Sequence, residues 1–169
     1  HLLEYDLNLI FCVKWRKLLH HVCDNKLLNK SAHGGRPGHN AIDPVFIKEM
    51  AYEICRLTHK HMVNFDNDAT SCCDRILCFL ANLASQKFGM SRKVCVVQGR
   101  SLREARYHLK TKLGISAKAT KHCRLIPWYG TGQGTGNSPV YWLLLSSVLF
   151  DIYEEHSKGA NFESPDRQI

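Results

Sequence analysis

Apolar residues recur at helical spacing near the start of the chain. Phe11, Trp15, Leu18, Leu19 and Val22 fall on one face and predict an amphipathic helix. The segment SAHGGRPGHN, residues 31–40, breaks that pattern with Gly and Pro and reads as a loop. Asp43 then offers an N-cap and Pro44 a first helical position, and Phe46, Ile47, Met50, Ile54 and Leu57 continue a second stripe. Over residues 62–67 the period changes to two: Val63 and Phe65 alternate with Asn64 and Asp66, which predicts a short strand. Another helix is expected from near Asp74 through Ile76, Phe79, Leu80 and Leu83, with Gly89 as its stop. Residues 102–106 read as helical, and 107–111 with 123–126 as a hairpin turning around Gly114. The longest apolar run, residues 140–150, is interrupted by Ser146 and Ser147. With Ser138 as a cap and Pro139 in the first turn, it reads as a buried helix. Helices and strands mix without a strict βαβ repeat, so the expected class is α+β.

Composition agrees with a folded domain. In 169 residues, 44% are apolar and 22% charged, which argues against wholesale disorder or a fibrous repeat. No apolar stretch reaches the roughly 18–20 residues of a membrane span, and no signal-peptide layout opens the chain, so no membrane partner is expected and the location is expected to be intracellular. The chain begins at His1 and closes on a loop-like SPDRQI, so it is expected to be an excerpt of something longer.

The eight cysteines contain no C-x-x-C pair, and most lie inside apolar patterns, such as Cys78 in ILCFL. They read as reduced thiols acting as small core hydrophobes. His20, His21 and Cys23 are three ligand types close in sequence, but no second half of a metal site accompanies them.

The net charge of +8 is unevenly placed. Residues 1–74 hold nine basic and nine acidic residues. Residues 75–124 hold twelve basic residues and one acid, Glu104, a net of +11; residues 125–169 hold two basic and five acidic. A block of that sign suits a phosphate backbone, because neutralised phosphates release condensed counterions. A solvated basic face without special use has the same signature.

Two constellations bear on chemistry. In NFDNDATSCCDRI, residues 64–76, a strand would put Asp66 and Asp68 on one face. Adjacent carboxylates are costly unless a cation neutralises them, and Mg²⁺ takes one or two carboxylates together with substrate phosphates. A solvated strand end followed by Asp74 as a helix-dipole acid is the plainer reading. The loop YGTGQGTGNSP, residues 129–139, fails both nucleotide fingerprints. The dinucleotide pattern from Gly132 needs glycine where Asn137 stands, and no lysine is present for a P-loop. What remains is a backbone free of side chains, able to approach a ligand closely, with Gln133 as its bifunctional hydrogen-bonder.

In this order, the segments resemble a reverse transcriptase of the kind carried by retrotransposons and group II introns. Residues 68–76, from Asp68 to the Cys73-Asp74 pair, resemble the first catalytic motif: an aspartate followed six residues on by an aromatic-aspartate pair. Gln133-Gly134, three residues, then Ser138-Pro139 resemble the second. His33-Gly-Gly-Arg36-Pro-Gly38, with Ile42-Asp43 downstream, resembles a fingers segment. The resemblance implies a partial right-hand polymerase palm with part of the fingers: residues 1–60 as helical fingers and 61–169 as palm. It implies RNA-directed DNA synthesis on an RNA template from a DNA primer and dNTPs, by two-Mg²⁺ nucleotidyl transfer, in the nucleus if the source is eukaryotic. Asp68, with Asp66, would hold metal. Ala69, Thr70, Ser71, Cys72 and Cys73 would line the incoming nucleotide with Gln133 and Gly134. Arg36, Ser138 and Pro139 would contact nucleic acid.

The chain also departs from the family. Cys73 replaces the usual aromatic that screens the sugar, Gly35 stands where an aromatic is usual, and His39 where arginine is common. The third motif, a hydrophobic residue followed by paired aspartates, is absent; Asp151 and Asp166 stand alone. The fragment is therefore expected to be inactive by itself. Two further readings compete. One is a nucleic-acid-binding remnant without activity, supported by the basic middle. The other is a metal-dependent nuclease, for which only His59 and His61 are at hand as bases near Asp68, and such residues are more often ordinary surface histidines.

Overall fold

In a computed structural model, four of the five residues of the first stripe are buried, and they define helix α1, Tyr5–Asp24. The structure describes residues 5–66, 68, 69, 72–121, 129–131 and 135–157. α1 ends in a Schellman closure. Leu27 N–H donates to Val22 O at 2.9 Å and Lys26 N–H to Cys23 O at 3.1 Å, with Lys26 at φ +53°.

Helix α2 spans Ile42–Leu57. Asp43 lies inside its first turn rather than at the cap. Asn40 does the capping work: its Oδ1 accepts the Ile42 N–H at 2.9 Å, while Asp43 Oδ2 accepts the Asn40 N–H at 2.9 Å. The apolar stripe expected to face the core does not. Phe46 is 62% exposed, Ile47, Met50 and Leu57 are exposed too, and only Cys55 of this helix is buried. Periodicity made the helix, but the core is filled by other elements.

The strand expected at 62–67 is absent over its described residues, 62–66, and Phe65 is 90% exposed. Alternation alone cannot make a strand. Its N–H and C=O groups need a neighbour, and none pairs with it among the described residues.

The single helix expected from Asp74 is two. α3, Cys72–Arg75, stops, and α4, Cys78–Lys87, begins after a break at Ile76 and Leu77. Gly89 ends α4 as expected, with the Met90 N–H donating to Ser85 O at 2.9 Å. Helix α5 covers Arg92–Glu104, ten residues earlier than the helical signal at 102–106. The two-residue strands β1, Lys110–Thr111, and β2, Gly114–Ile115, pair antiparallel, with an outer bridge between Tyr107 and Thr120. The turn lies at Gly114 as expected, but the returning strand is closer in sequence than 123–126, which lies outside the described residues. Helix α6, Ser138–His156, is the last element among the described residues. Among the described residues, the architecture is helical with one small hairpin.

α6 is the hub, packing on α1, α3 and α4, while α5 packs on α4. Trp15 and Tyr141 stack with ring centroids 5.1 Å apart, and Phe11 meets Trp15 edge-on at 5.8 Å. Val22, Ile76, Ala81, Ala84, Phe88, Leu143 and Leu144 complete the core. Burying each large member stabilises by about 1.5–3 kcal/mol. The expected boundary at residue 60 does not divide this core, since α1 and α6 share it. Buried polar groups tie the helices. The Tyr141 phenol oxygen lies 2.5 Å from Asn82 on α4 and 2.6 Å from Gln98 on α5. It has one proton, so one amide accepts it and the other turns its NH₂ inward. The loop after α1 is fastened by the Asn29 N–H donating to Ser147 Oγ at 2.8 Å and Asn29 Nδ2 donating to Asp151 Oδ1 at 3.0 Å.

Candidate functional site

The break between α3 and α4 is where residues 73–77 meet residues 129–131, which lead into the glycine-rich loop. Thr131 N–H donates to Cys73 O at 2.8 Å, Gly130 N–H donates to Ile76 O at 2.9 Å, and Leu77 bridges Tyr129. These bonds satisfy the carbonyls that a helix ending at Arg75 leaves open. Gly130 sits at φ +89°, and a Cβ there would lie 3.2 Å from Asp74 O, so the approach needs glycine twice over. Cys78 Sγ–H adds a bond to Gly130 O at 2.7 Å.

The Ser138 hydroxyl hydrogen-bonds those of Thr131 and Thr135, and all three residues are buried. Ser138 is therefore a structural pin at the start of α6 and offers no surface to nucleic acid, whereas Pro139 is exposed. The amide of Asn137 is also fully buried, with no partner among the described residues. The glycine-rich loop carrying Arg36 comes close as well: a Cβ on Gly35 would lie 3.9 Å from Pro139 O. All three motif segments are thus neighbours.

The hairpin faces this junction across a cleft of about 690 Å³, bordered by Asp74, Tyr107, His108, Lys118, Lys121 and Tyr129. A second concavity of about 450 Å³ shares His108, Lys118 and Lys121 and adds Arg106. Burial in this region pushes the Tyr107 phenol above its usual range, so it stays neutral. A further basic groove of about 570 Å³, with Arg92, Arg100 and Arg103, lies between α4 and α5. The cationic block read from the sequence is therefore distributed over two faces.

Compared with known families, curated proteins and solved structures, the chain matches none.

Of the two expected metal-binding carboxylates, Asp66 is engaged by a lysine. Asp66 Oδ2 accepts a hydrogen bond from Lys48 Nζ at 2.7 Å, which holds its carboxyl below the usual range and raises the Lys48 ammonium. Both are exposed. Without a strand, nothing forces Asp66 and Asp68 onto one face. Asp68 is exposed, and its neighbour Ala69 borders an apolar groove of about 800 Å³ with Phe65, Trp142 and Phe150. Among the described residues, one group of three or more potential metal ligands lies within 4.8 Å, and it contains none of Asp66, Asp68 and Asp74. Thr70, Ser71, Gln133 and Gly134 lie outside the described residues, as does the Cys72 side chain; Cys73 contributes its backbone carbonyl to the junction. The six described cysteines, Cys12, Cys23, Cys55, Cys73, Cys78 and Cys95, form no disulfide, and burial raises the Cys95 thiol to about 11. His59, weighed as a nuclease base, terminates α2 at φ +54°.

The sequence reading missed the group of His33, His39 and Asp43. The signal was there, two histidines and an acid within eleven residues of a turn-rich loop. It was absorbed into the loop assignment.

Proposed function

We propose that the chain is a palm-and-fingers portion of an RNA-directed DNA polymerase, with the hairpin cleft receiving a nucleic-acid backbone. The observation that carries this reading is the backbone pairing of residues 73–77 with 129–131. It brings the end of the first motif-like segment beside the residues that lead into the second, at the edge of a cleft whose other wall is cationic. Arg106, Lys118 and Lys121 supply charge for phosphates, and Tyr107 and Tyr129 supply flat apolar surface. Asp68 is the carboxylate proposed for catalysis in the longer parent, which would bring the paired aspartates that this chain lacks.

A second reading, a binding remnant without activity, is favoured by one observation. Asp66 is already paired with Lys48, which offsets the charge of one of the two carboxylates.

Two measurements separate the readings. Binding of this chain to an RNA–DNA primer-template is expected to weaken with salt. Lys118→Ala with Lys121→Ala is expected to flatten the log–log salt slope by about 1.4–1.8, at 0.7–0.9 per lost phosphate contact. Primer extension by the parent protein is expected to disappear in Asp68→Ala while the salt slope of binding stays. Salt-sensitive binding with no extension by the unaltered parent selects the remnant, and a slope indifferent to both lysines removes the cleft from either reading.

A further inference from the structure

The loop between α1 and α2 is folded by two consecutive turns. The Arg36 N–H donates to His33 O at 3.3 Å and the His39 N–H to Arg36 O at 3.2 Å, with Gly35 and Gly38 at φ +74° and +78°. The result carries His39 back over His33. Their Nδ1 atoms lie 3.1 Å apart, and Asp43 Oδ2, from the first turn of α2, lies 3.7 Å from His39 Nδ1. All three residues are half-buried, and the three donor atoms lie within 4.8 Å of one another. Asp43 is oriented by the Asn40 N–H at 2.9 Å.

We propose that His33, His39 and Asp43 form a site for a divalent ion of the zinc class. Two imidazole nitrogens bound at the usual zinc distance in a tetrahedral shell lie about 3.3 Å apart, close to the separation already present. The carboxylate closes the shell by a side-chain adjustment of about 1.5 Å at most. Two imidazoles and one carboxylate suit zinc, cobalt, nickel or copper, whereas the all-oxygen shells of magnesium and calcium do not use imidazole. With three protein donors, a fourth position remains for water. The backbone N–H of Asn40 supplies the outer hydrogen bond that ligating carboxylates generally have. The bound ion would clamp the turn-rich loop to the start of α2. This site is independent of the polymerase reading and would stand if that reading fell.

The test is titration of the full chain with Co²⁺ at pH 7.5, followed by absorption. One equivalent is expected to bind, with the visible bands of a nitrogen- and oxygen-ligated ion and without the thiolate-to-cobalt charge-transfer band that the cysteines would give. Zn²⁺ is expected to displace it, and millimolar Mg²⁺ is not. His33→Gln, His39→Gln and Asp43→Asn are each expected to weaken binding at least tenfold, since even an outer-shell loss costs 10–100-fold. Binding is expected to weaken in acid, because protons compete with the metal for the ligand atoms. If either histidine variant bound Co²⁺ as the unaltered chain does, or if the charge-transfer band dominated, the site would be refuted. Should a variant lose helical circular dichroism, the unaltered chain decides the matter: the His33 and His39 imidazole resonances must shift on adding Zn²⁺, and their failure to move overturns the proposal.

Discussion

Gly136 gives the sharpest test of how α1 is seated. Its N–H donates to Asn8 Oδ1 at 3.0 Å, and a Cβ added to it would lie 1.6 Å from Cys12 Sγ and 3.2 Å from Cys12 Cβ. Gly136 is not among the positive-φ glycines, so its backbone suits alanine. Two opposing effects therefore act in Gly136→Ala. Reduced freedom of the unfolded chain stabilises by about 0.4–1 kcal/mol. Overpacking against the thiol destabilises by about 1–3 kcal/mol, because either the Cys12 side chain or α1 itself must move. The net expectation is a loss of about 0.5–2 kcal/mol. In a Cys12→Ala background the sulfur is gone and only the 3.2 Å contact remains. There the same substitution is expected to be neutral or slightly stabilising, a coupling of about 0.5–3 kcal/mol. Urea unfolding followed by circular dichroism across the four proteins measures that coupling. If Gly136→Ala costs the same in both backgrounds, within about 0.5 kcal/mol, α1 does not pack against this loop, and the shared core of α1 and α6 must be redrawn.

Gly130→Ala is expected to destabilise by about 1–2 kcal/mol from the left-handed backbone alone, with the 3.2 Å approach to Asp74 O added; an unchanged urea midpoint would sink the pairing of the two motif segments. Tyr141→Phe is expected to cost about 1–3 kcal/mol by leaving the Gln98 and Asn82 amides short of a partner, and a loss too small to resolve would mean that water reaches them. Lys48→Met is expected to raise the Asp66 carboxyl pKa toward its ordinary value, read by NMR titration. Because the folded pKa is lowered, the pair's contribution is complete above the unfolded pKa and is lost as the pH falls through the folded one, and salt should erase it. No movement of the Asp66 titration would mean that the pair does not form in solution.

Local chemistry made some of the fold legible. The α1 stripe, the Gly89 stop and the Pro139 start of α6 are each written within a few residues of where they act. α5 was not legible in that way. Its buried positions are Cys95, Gln98, Gly99 and Leu102, only one of them strongly apolar, while Val96 and Val97 face outward and obscure the period. α2 shows the converse: a clear stripe marks a helix without saying whether anything will cover it. The expected strand at 62–67 failed because pairing is non-local. The histidine cluster escaped notice because it depends on two turns folding one imidazole over the other, which residue spacing does not reveal.

The junction of the two motif segments belongs to that non-local class, and this gives it weight. Order along the chain and adjacency in space are separate properties: residues 73 and 131 are far apart in sequence, and no local propensity draws them together. Their contact depends on a helix that stops after four residues, on open carbonyls at Cys73 and Ile76, and on a glycine at 130 whose φ of +89° an L side chain rarely adopts. An ordinary helical core would be served by one continuous helix from residue 72 to 87, with no carbonyls to satisfy. The interruption costs helical hydrogen bonds and returns a short, fixed crossing of backbone beside a cationic cleft. That exchange makes physical sense where the crossing positions something, and it places Asp74 at the cleft wall. The polymerase reading thus rests on a local sacrifice of regular structure at the residues that carry the motif resemblance.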